Sequence, residues 1–414
     1  MNHVPTTPGA APGATAGQPL AGIRIIDLTS IVLGPLATLT LAGMGAEIVK
    51  IEAPEGDNVR LAGSARHGDM GHVFLHGNRG KQSVVLNLKK PAAREALLRL
   101  VREADVFLCN VRPAAMRRLG LGPETLREAN PRLVQVTACG FGSRGPSADK
   151  PAYDDLIQGA VGIPWLMQQY AGGEPAFVPL SLVDRVTGLH VVYAITAALF
   201  ARERSGAGQQ VEVPMFESLA HFVLADHLAG ASFEPPLGPA GYDRLLSSHR
   251  RPYRTADGHL CVLVYNDRHW RSFFQAIGQP EMFGDPRFST QRNRSLNIHA
   301  VYGFVASVMA SRTTAQWQEL LDGIDIPNQV PNSLEDLLAD PQLRASGLVS
   351  EEQHPTEGRV RSLGSPTVWN DVPAPALAPA PGLGQHTRTV LRGAGYSEDE
   401  IDALGQDGAV SFGA

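Results

Sequence analysis

A carboxylate stands where a short apolar run gives way to a helical pattern: Asp184, in Pro179-Leu-Ser-Leu-Val-Asp-Arg-Val-Thr-Gly188. The pattern from Val186 to Arg202 is apolar on most of its faces, so the helix it predicts is buried. A carboxylate at such a junction has two uses. As an N-cap it accepts a hydrogen bond from a first-turn amide, worth about 1 kcal/mol. As a nucleophile it is kept ionised by the helix dipole and sheltered from water. The pattern alone leaves both open.

The cations form a second set. Asn78-Arg79-Gly-Lys81 directly precedes one apolar strand pattern, Asn110-Val111-Arg112-Pro113 directly follows another, and Arg117-Arg118 lie a short helix later. Loops leaving the carboxyl ends of parallel strands line the ligand crevice. Lys81, Arg112 and Arg118 could therefore converge on phosphates, the arginines as forks and the lysine as a point charge; the alternative is a solvated face. Gly140-Phe-Gly-Ser-Arg-Gly145 matches the dinucleotide-binding glycine pattern and follows a strand. Pro146 and Pro151 follow, and no amphipathic helix opens on the last glycine to receive a pyrophosphate, so a nicotinamide or flavin site is disfavoured. His72 and His76 lack the nearby Cys or carboxylate cluster that a metal would need, and no metal is expected.

These groups need a scaffold. Strand patterns at 22–27, 46–52, 83–88, 105–110 and 132–139 alternate with helical ones, among them a helix opened by Gly34-Pro35 and another opened by Pro91. Apolar strands alternating with helices predict an α/β fold whose parallel sheet is covered on both faces. The texture changes after Val211-Glu-Val-Pro-Met215, where residues 231–252 read as a Pro- and Gly-rich linker. A smaller α/β unit follows, with a hairpin at 252–264 and helices at 270–277, 298–309 and 314–321. Beyond Asp340-Pro341 the pattern is strand-like again, then passes through a Pro/Ala connector to a helix near 385–393.

With 414 residues, two domains are expected. Residues 1–19 read as a disordered tail, not a signal peptide. Residues 20–218 and 345–400 read as a discontinuous large domain, 219–344 as linkers and small domain, and 401–414 as a C-terminal tail. The net charge of −5 gives no global attraction to nucleic acid or anionic membrane. No apolar run approaches the ~20 residues that span a bilayer. Three widely spaced cysteines, Cys109, Cys139 and Cys261, read as reduced core residues of a cytoplasmic protein.

Taken together, the segments resemble the family III CoA-transferases, the group containing formyl-CoA transferase, carnitine CoA-transferase and the α-methylacyl-CoA racemases. The resemblance runs from Leu20 to about residue 400. It rests on Pro19-Leu-Ala-Gly-Ile-Arg-Ile-Ile-Asp-Leu-Thr29, Gly45-Ala-Glu-Ile-Val-Lys-Ile-Glu52, Asn78-Arg-Gly-Lys81 and Asn110-Val-Arg-Pro113 with Arg118-Leu-Gly-Leu-Gly122. Further on come Gly140-Phe-Gly142, Pro151-Ala-Tyr-Asp154, Asp184 with Gly188, Gly206-Ala-Gly-Gln209 and Pro252-Tyr-Arg-Thr-Ala-Asp-Gly258.

The resemblance implies an interlaced homodimer of ring-like chains, each with a Rossmann-like large domain built from both termini and a smaller α/β domain. It implies that Asp184 is the catalytic carboxylate, attacking an acyl-CoA thioester to form an anhydride and then an aspartyl-CoA thioester. CoA, a substrate and not a resident cofactor, is expected against Ser30, Ile31 and Leu33, against Asn78, Arg79 and Lys81, and against Asn110, Val111, Arg112 and Arg118. Val32, Phe141 and Tyr153 are expected near the acyl group, with Gly140 and Gly142 in a loop whose amides could serve a thioester oxyanion.

The racemases of the family pair the aspartate with a histidine in a Gly-His-Asp motif. Here Ala152-Tyr153-Asp154 puts a tyrosine in its place, too weak an acid–base group near neutral pH, and Asn266 stands where the racemases have a glutamate. Transfer of CoA between carboxylic acids, with succinyl-CoA as a plausible donor, is therefore favoured over racemisation or epimerisation; a non-catalytic CoA-binding paralogue is the remaining alternative. Val32 replaces a glutamine that formyl-CoA transferase uses near its acyl group, which argues against formyl or oxalyl specificity, while Ala53 and Cys139 stand where relatives have an arginine and a lysine that contact CoA. His249-Arg250-Arg251 could bind the free carboxylate of a dicarboxylic acyl group or be a charged linker.

Overall fold

A computed structural model describes residues 18–369, 372–373 and 376–413. The proposed tail thus lies almost wholly outside the described residues; Leu20, the first residue after it, is buried and its amide donates to the Met44 carbonyl at 2.9 Å.

The strands arise where apolar residues run uninterrupted. β1 (Arg24–Leu28), β2 (Glu47–Glu52), β3 (Lys81–Leu86), β4 (Val106–Cys109), β5 (Val134–Cys139) and β6 (Gln210–Pro214) form a sheet in the order β3-β2-β1-β4-β5-β6, all parallel. Because successive side chains point to opposite faces, Ile26 and Leu28 join one buried cluster and Ile25 the other. Helix α1 (Leu33–Gly43) lies on the Ile25 face, and α2 (Pro91–Arg102), with proline at its first position, lies on the other. The strand order reverses between β1 and β4, so a ligand crevice is expected at their carboxyl ends.

The chain divides into two compact units, one through Val161 with Pro179–Ala220 and Gln342 onward, the other comprising Gly162–Val178 and His221–Pro341. Two segments differ from the sequence expectation. Residues 162–178, expected in the large domain, fold with the second unit: the Tyr170 hydroxyl donates to the Arg250 carbonyl at 2.7 Å, a contact no local pattern encodes. Residues 401–414, expected as a tail, carry the end of the helix Glu398–Gln406, and the strand Val410–Ser411 pairs antiparallel with β3. Buried Ile401, Ala409 and Val410 supply the apolar area that holds them in place.

The second unit has its own core, in which Trp270, Phe273, Phe274 and Phe288 pack as tilted and edge-on rings. Short strands Tyr253–Arg254, His259–Val262 and Asn328–Gln329 form its antiparallel sheet. Asn266, at the racemase glutamate's position, is the N-cap of the helix Asp267–Ala276 and accepts the His269 amide at 2.9 Å.

Candidate active site

Asp184 lies inside a helix, not ahead of one. The helix, Leu182–Ser205, begins two residues earlier, with Ser181 at its N-cap position, so the capping role expected for Asp184 does not arise. Gly188 lies one turn further on, on the same face. A Cβ there would stand 2.9 Å from the Leu33 carbonyl oxygen, so the glycine lets this helix approach α1 closely. Asp184 is thereby carried on the face that packs against α1, near the crevice.

Asp184 as a whole residue is buried, with 9% exposure. Burial and then the neighbouring Asp154 push its pKa up to about 7, with Arg185 opposing. Asp154 opens the helix Asp154–Ala160; its Oδ2 accepts the Asp184 backbone N–H at 2.9 Å and its Oδ1 accepts the Gln158 amide at 2.7 Å. Asp154 therefore fixes the backbone of Asp184 while its charge disfavours ionisation of the side chain.

The loop after β1 is held from three sides. Asn110, at the end of β4, clasps Ser30: its Oδ1 accepts the Ser30 amide at 3.1 Å and its Nδ2 donates to the Ser30 carbonyl at 2.9 Å. Ile31 has φ of +73°, a conformation that a β-branched side chain adopts only under constraint. The constraint is Asp57, whose carboxylate accepts the Ile31 amide at 3.1 Å. Val32 then takes the N-cap position of α1 and Leu33 is buried.

Beneath this loop lies a buried charge network that sequence reasoning missed. Lys50 Nζ donates to the Thr29 carbonyl at 2.8 Å and to Asp57 at 3.0 Å. Glu52 takes a two-pronged contact from Arg60 at 2.8 Å, and Ser83 donates to it at 2.6 Å. Asp27 accepts from Thr38 at 2.6 Å and faces Lys81 at 3.4 Å. Burial alone would raise the Asp27 carboxyl, but Lys81 and Lys50 outweigh it and hold it below the usual range. Burial pushes the Lys81 ammonium down to about 7 against the pull of Asp27. The signal was present: Lys50 and Glu52 are charges in a central parallel strand, where unpaired charge is not tolerated.

This network separates the expected phosphate ligands. Lys81 is 3% exposed and spends its protons on Asp27, Asn78 and the Pro35 carbonyl. Asn78 is fully buried, and Arg79, 4% exposed, binds Glu352 and the carbonyls of Leu363 and Leu377. All three side chains make their contacts in the interior. Arg112 and Arg118, at either end of the helix Pro113–Arg118, are exposed, and neither is ion-paired among the described residues. Val111 stands between Asn110 and Arg112 and donates its amide to the Cys109 sulfur at 3.2 Å.

The glycine loop after β5 runs beside the segment bearing Asp154. A Cβ on Gly140 would collide with that of Ala152 at 2.2 Å, so only glycine permits the approach. Phe141 packs on Phe216 with ring centroids 5.5 Å apart, and Tyr153 is 64% exposed. The oxyanion expectation meets a competitor here. The Gly142 amide donates to both oxygens of Glu217 at 3.0 and 3.1 Å, and the Ser143 amide to Glu212 at 2.9 Å. Cys139, beneath the loop, is no thiolate: burial, then Glu212 and Glu217, push it up to about 12. Ala53 is exposed, and His249, Arg250 and Arg251 are exposed residues of the second unit.

The sequence profile of CoA-transferase family III matches residues 20–387. The chain is 31% identical over 392 residues to the probable fatty acyl-CoA transferase Rv3272 of Mycobacterium tuberculosis, covering 92% of this chain and 99% of that protein. It is 34% identical over 393 residues to a succinate–glutarate CoA-transferase of Agrobacterium fabrum, covering 90% and 95%. A crystal structure of Rv3272 superposes with a TM-score of 0.78 at 30% identity, covering 90% of this chain and 98% of that one.

Proposed function

The chain belongs to family III of the CoA-transferases, enzymes that take CoA thioesters and carboxylic acids as substrates and need no resident cofactor, and we propose that it works through a covalent aspartyl intermediate on Asp184. The observation that carries this reading is buried Asp184, its backbone held by Asp154 on the helix that approaches the start of α1 closely at Gly188. A carboxylate stripped of water is a better nucleophile than a solvated one, and near neutral pH a substantial fraction is ionised.

In the proposed sequence an Asp184 oxygen attacks the acyl carbon, the C–S bond breaks, and a mixed anhydride and CoA thiolate form. The thiolate attacks Asp184 Cγ, the anhydride C–O bond breaks, and the first acid leaves as its carboxylate. An acceptor carboxylate attacks the aspartyl-CoA thioester to give a second anhydride, and the thiolate takes the new acyl group, freeing Asp184. No redox partner is needed and water must be kept out, as burial of Asp184 favours.

CoA would lie over Ser30, Ile31 and Leu33 and beside Asn110 and Val111, its phosphates meeting Arg112 and Arg118. The acyl group would face Val32, Phe141 and Tyr153. An oxyanion at the Gly140–Gly142 loop requires the Gly142 amide to leave Glu217. Succinyl-CoA as donor draws support from the Agrobacterium relative, whose name pairs succinate with glutarate. A homodimer draws support from an apolar stripe along Leu182–Ser205: Leu189, Tyr193 and Phe200 are 55%, 59% and 62% exposed, at spacings of one and two helical turns. By length and composition this helix could cross a bilayer, contrary to the expectation that none could, yet 44% of its most apolar window is buried in the fold. The three unpaired cysteines fit a reducing, cytoplasmic setting.

Mass spectrometry of the protein incubated with succinyl-CoA tests the mechanism. A CoA adduct on the Asp184 peptide, absent in Asp184→Asn, is expected; full turnover by Asp184→Asn would overturn it.

A further inference from the structure

The second unit contains a cavity of about 300 Å³ that the transfer reaction leaves unexplained. Its floor and walls are apolar: Val262, Leu263, Val264 and Val305, with the rings of Tyr253, Trp270 and Tyr302. Its rim carries Arg244, Arg250 and Arg251, and none of its twelve lining residues is acidic.

The rim is held in place. Arg244 Nε donates to the Tyr302 hydroxyl at 2.9 Å. Arg251 Nε donates to the Ser248 carbonyl at 2.6 Å, and its guanidinium lies 5.9 Å from the Tyr170 ring centroid. The Tyr170 hydroxyl in turn fixes the Arg250 carbonyl, so the segment 162–178 braces the arginine pair. Elsewhere in this unit Arg268, Arg287 and Arg294 each pair with an aspartate, whereas the three rim arginines have no carboxylate partner among the described residues. An uncompensated cationic rim beside a mostly apolar chamber is complementary to one kind of small molecule, an anion with an apolar body. Guanidinium forks match a carboxylate in planar geometry, and valine and leucine walls suit an alkyl chain.

We propose that this cavity binds an aliphatic carboxylate, head group on Arg250 and Arg251 and chain against Val262, Val264 and Val305. All the residues lining it belong to the second unit, and the inference does not rest on the aspartyl mechanism.

Calorimetric titration of the full chain with hexanoate, and with inorganic phosphate as the bare-anion control, tests it. Hexanoate is expected to bind about tenfold more tightly than phosphate. Arg250→Ala with Arg251→Ala, changes confined to exposed positions, should weaken hexanoate about tenfold; Val305→Phe, which fills the chamber and keeps the rim charge, should weaken it as well. Trp270 fluorescence should respond to hexanoate in the wild type and not in Trp270→Phe. No binding at millimolar hexanoate, equal affinity for phosphate, or unchanged affinity in both the arginine and Val305 variants would each overturn the proposal.

Discussion

Asp154 Oδ2 accepts the backbone N–H of Asp184 at 2.9 Å, so one carboxylate holds the other's main chain while repelling its charge. Burial is the larger cause of the raised Asp184 pKa, and Asp154 adds to it.

The pH dependence of transfer follows. The anion is the nucleophile, so kcat/KM for acyl-CoA should rise with pH through about 7, where Asp184 titrates. Asp154→Asn keeps an oxygen for the Asp184 N–H and removes the charge, which should move the midpoint down by roughly half to one unit. An unmoved midpoint would show that Asp154 does not govern the ionisation.

Stability should report the same group with the opposite sense. The folded-state pKa of about 7 lies above the ordinary value of 3.8, so the folded form holds its proton more tightly than the unfolded chain. Stability from this group is then full below about pH 4 and lost as pH rises through 7. Asp184→Asn should melt higher than wild type at pH 8, by on the order of 2 kcal/mol, with the gap closing near pH 4. Calorimetric melting at the two pH values checks the sign.

The basic residues should separate by kinetics. Arg112→Ala and Arg118→Ala are each expected to raise KM for acyl-CoA about tenfold with little change in kcat, because an exposed guanidinium on phosphate contributes to binding alone. Lys81→Met should instead lower folding stability by about 3 kcal/mol, since it leaves Asp27 short of a buried partner. Steady-state kinetics beside urea unfolding distinguishes the two behaviours.

The apolar stripe on Leu182–Ser205 predicts that Tyr193→Asp weakens self-association. Light scattering coupled to gel filtration should show a wild-type dimer and a shift toward monomer in the variant. A monomeric wild type would remove the dimer from the proposal.

How much was legible depended on whether the signal was local. The strands of the parallel sheet followed from apolar runs, and proline at a first helical turn marked the helix from Pro91. The helix bearing Asp184 began earlier than expected because polar Ser181 and apolar Leu182-Val183 read as the end of the preceding run. The strand Val410–Ser411 escaped because two residues carry no period, and its pairing with β3 joins segments more than 300 residues apart. The hold of Glu217 on the Gly142 amide likewise spans 75 positions.

The amino-acid order by itself determined the α/β alternation, the family and the aspartate to watch, because strand and helix periodicity and motif order are local properties. The tertiary structure alone decided what each charged group can do. Lys81 and Arg79 look like Arg112 and Arg118 in a sequence, but the first pair meet Asp27 and Glu352 in the interior while the second pair face solvent. Asp184 likewise owes its raised pKa to burial and to Asp154, which the fold brings beside it from 30 residues away. Desolvation and charge pairing depend on what surrounds a group in space, and that is set only when the chain closes on itself.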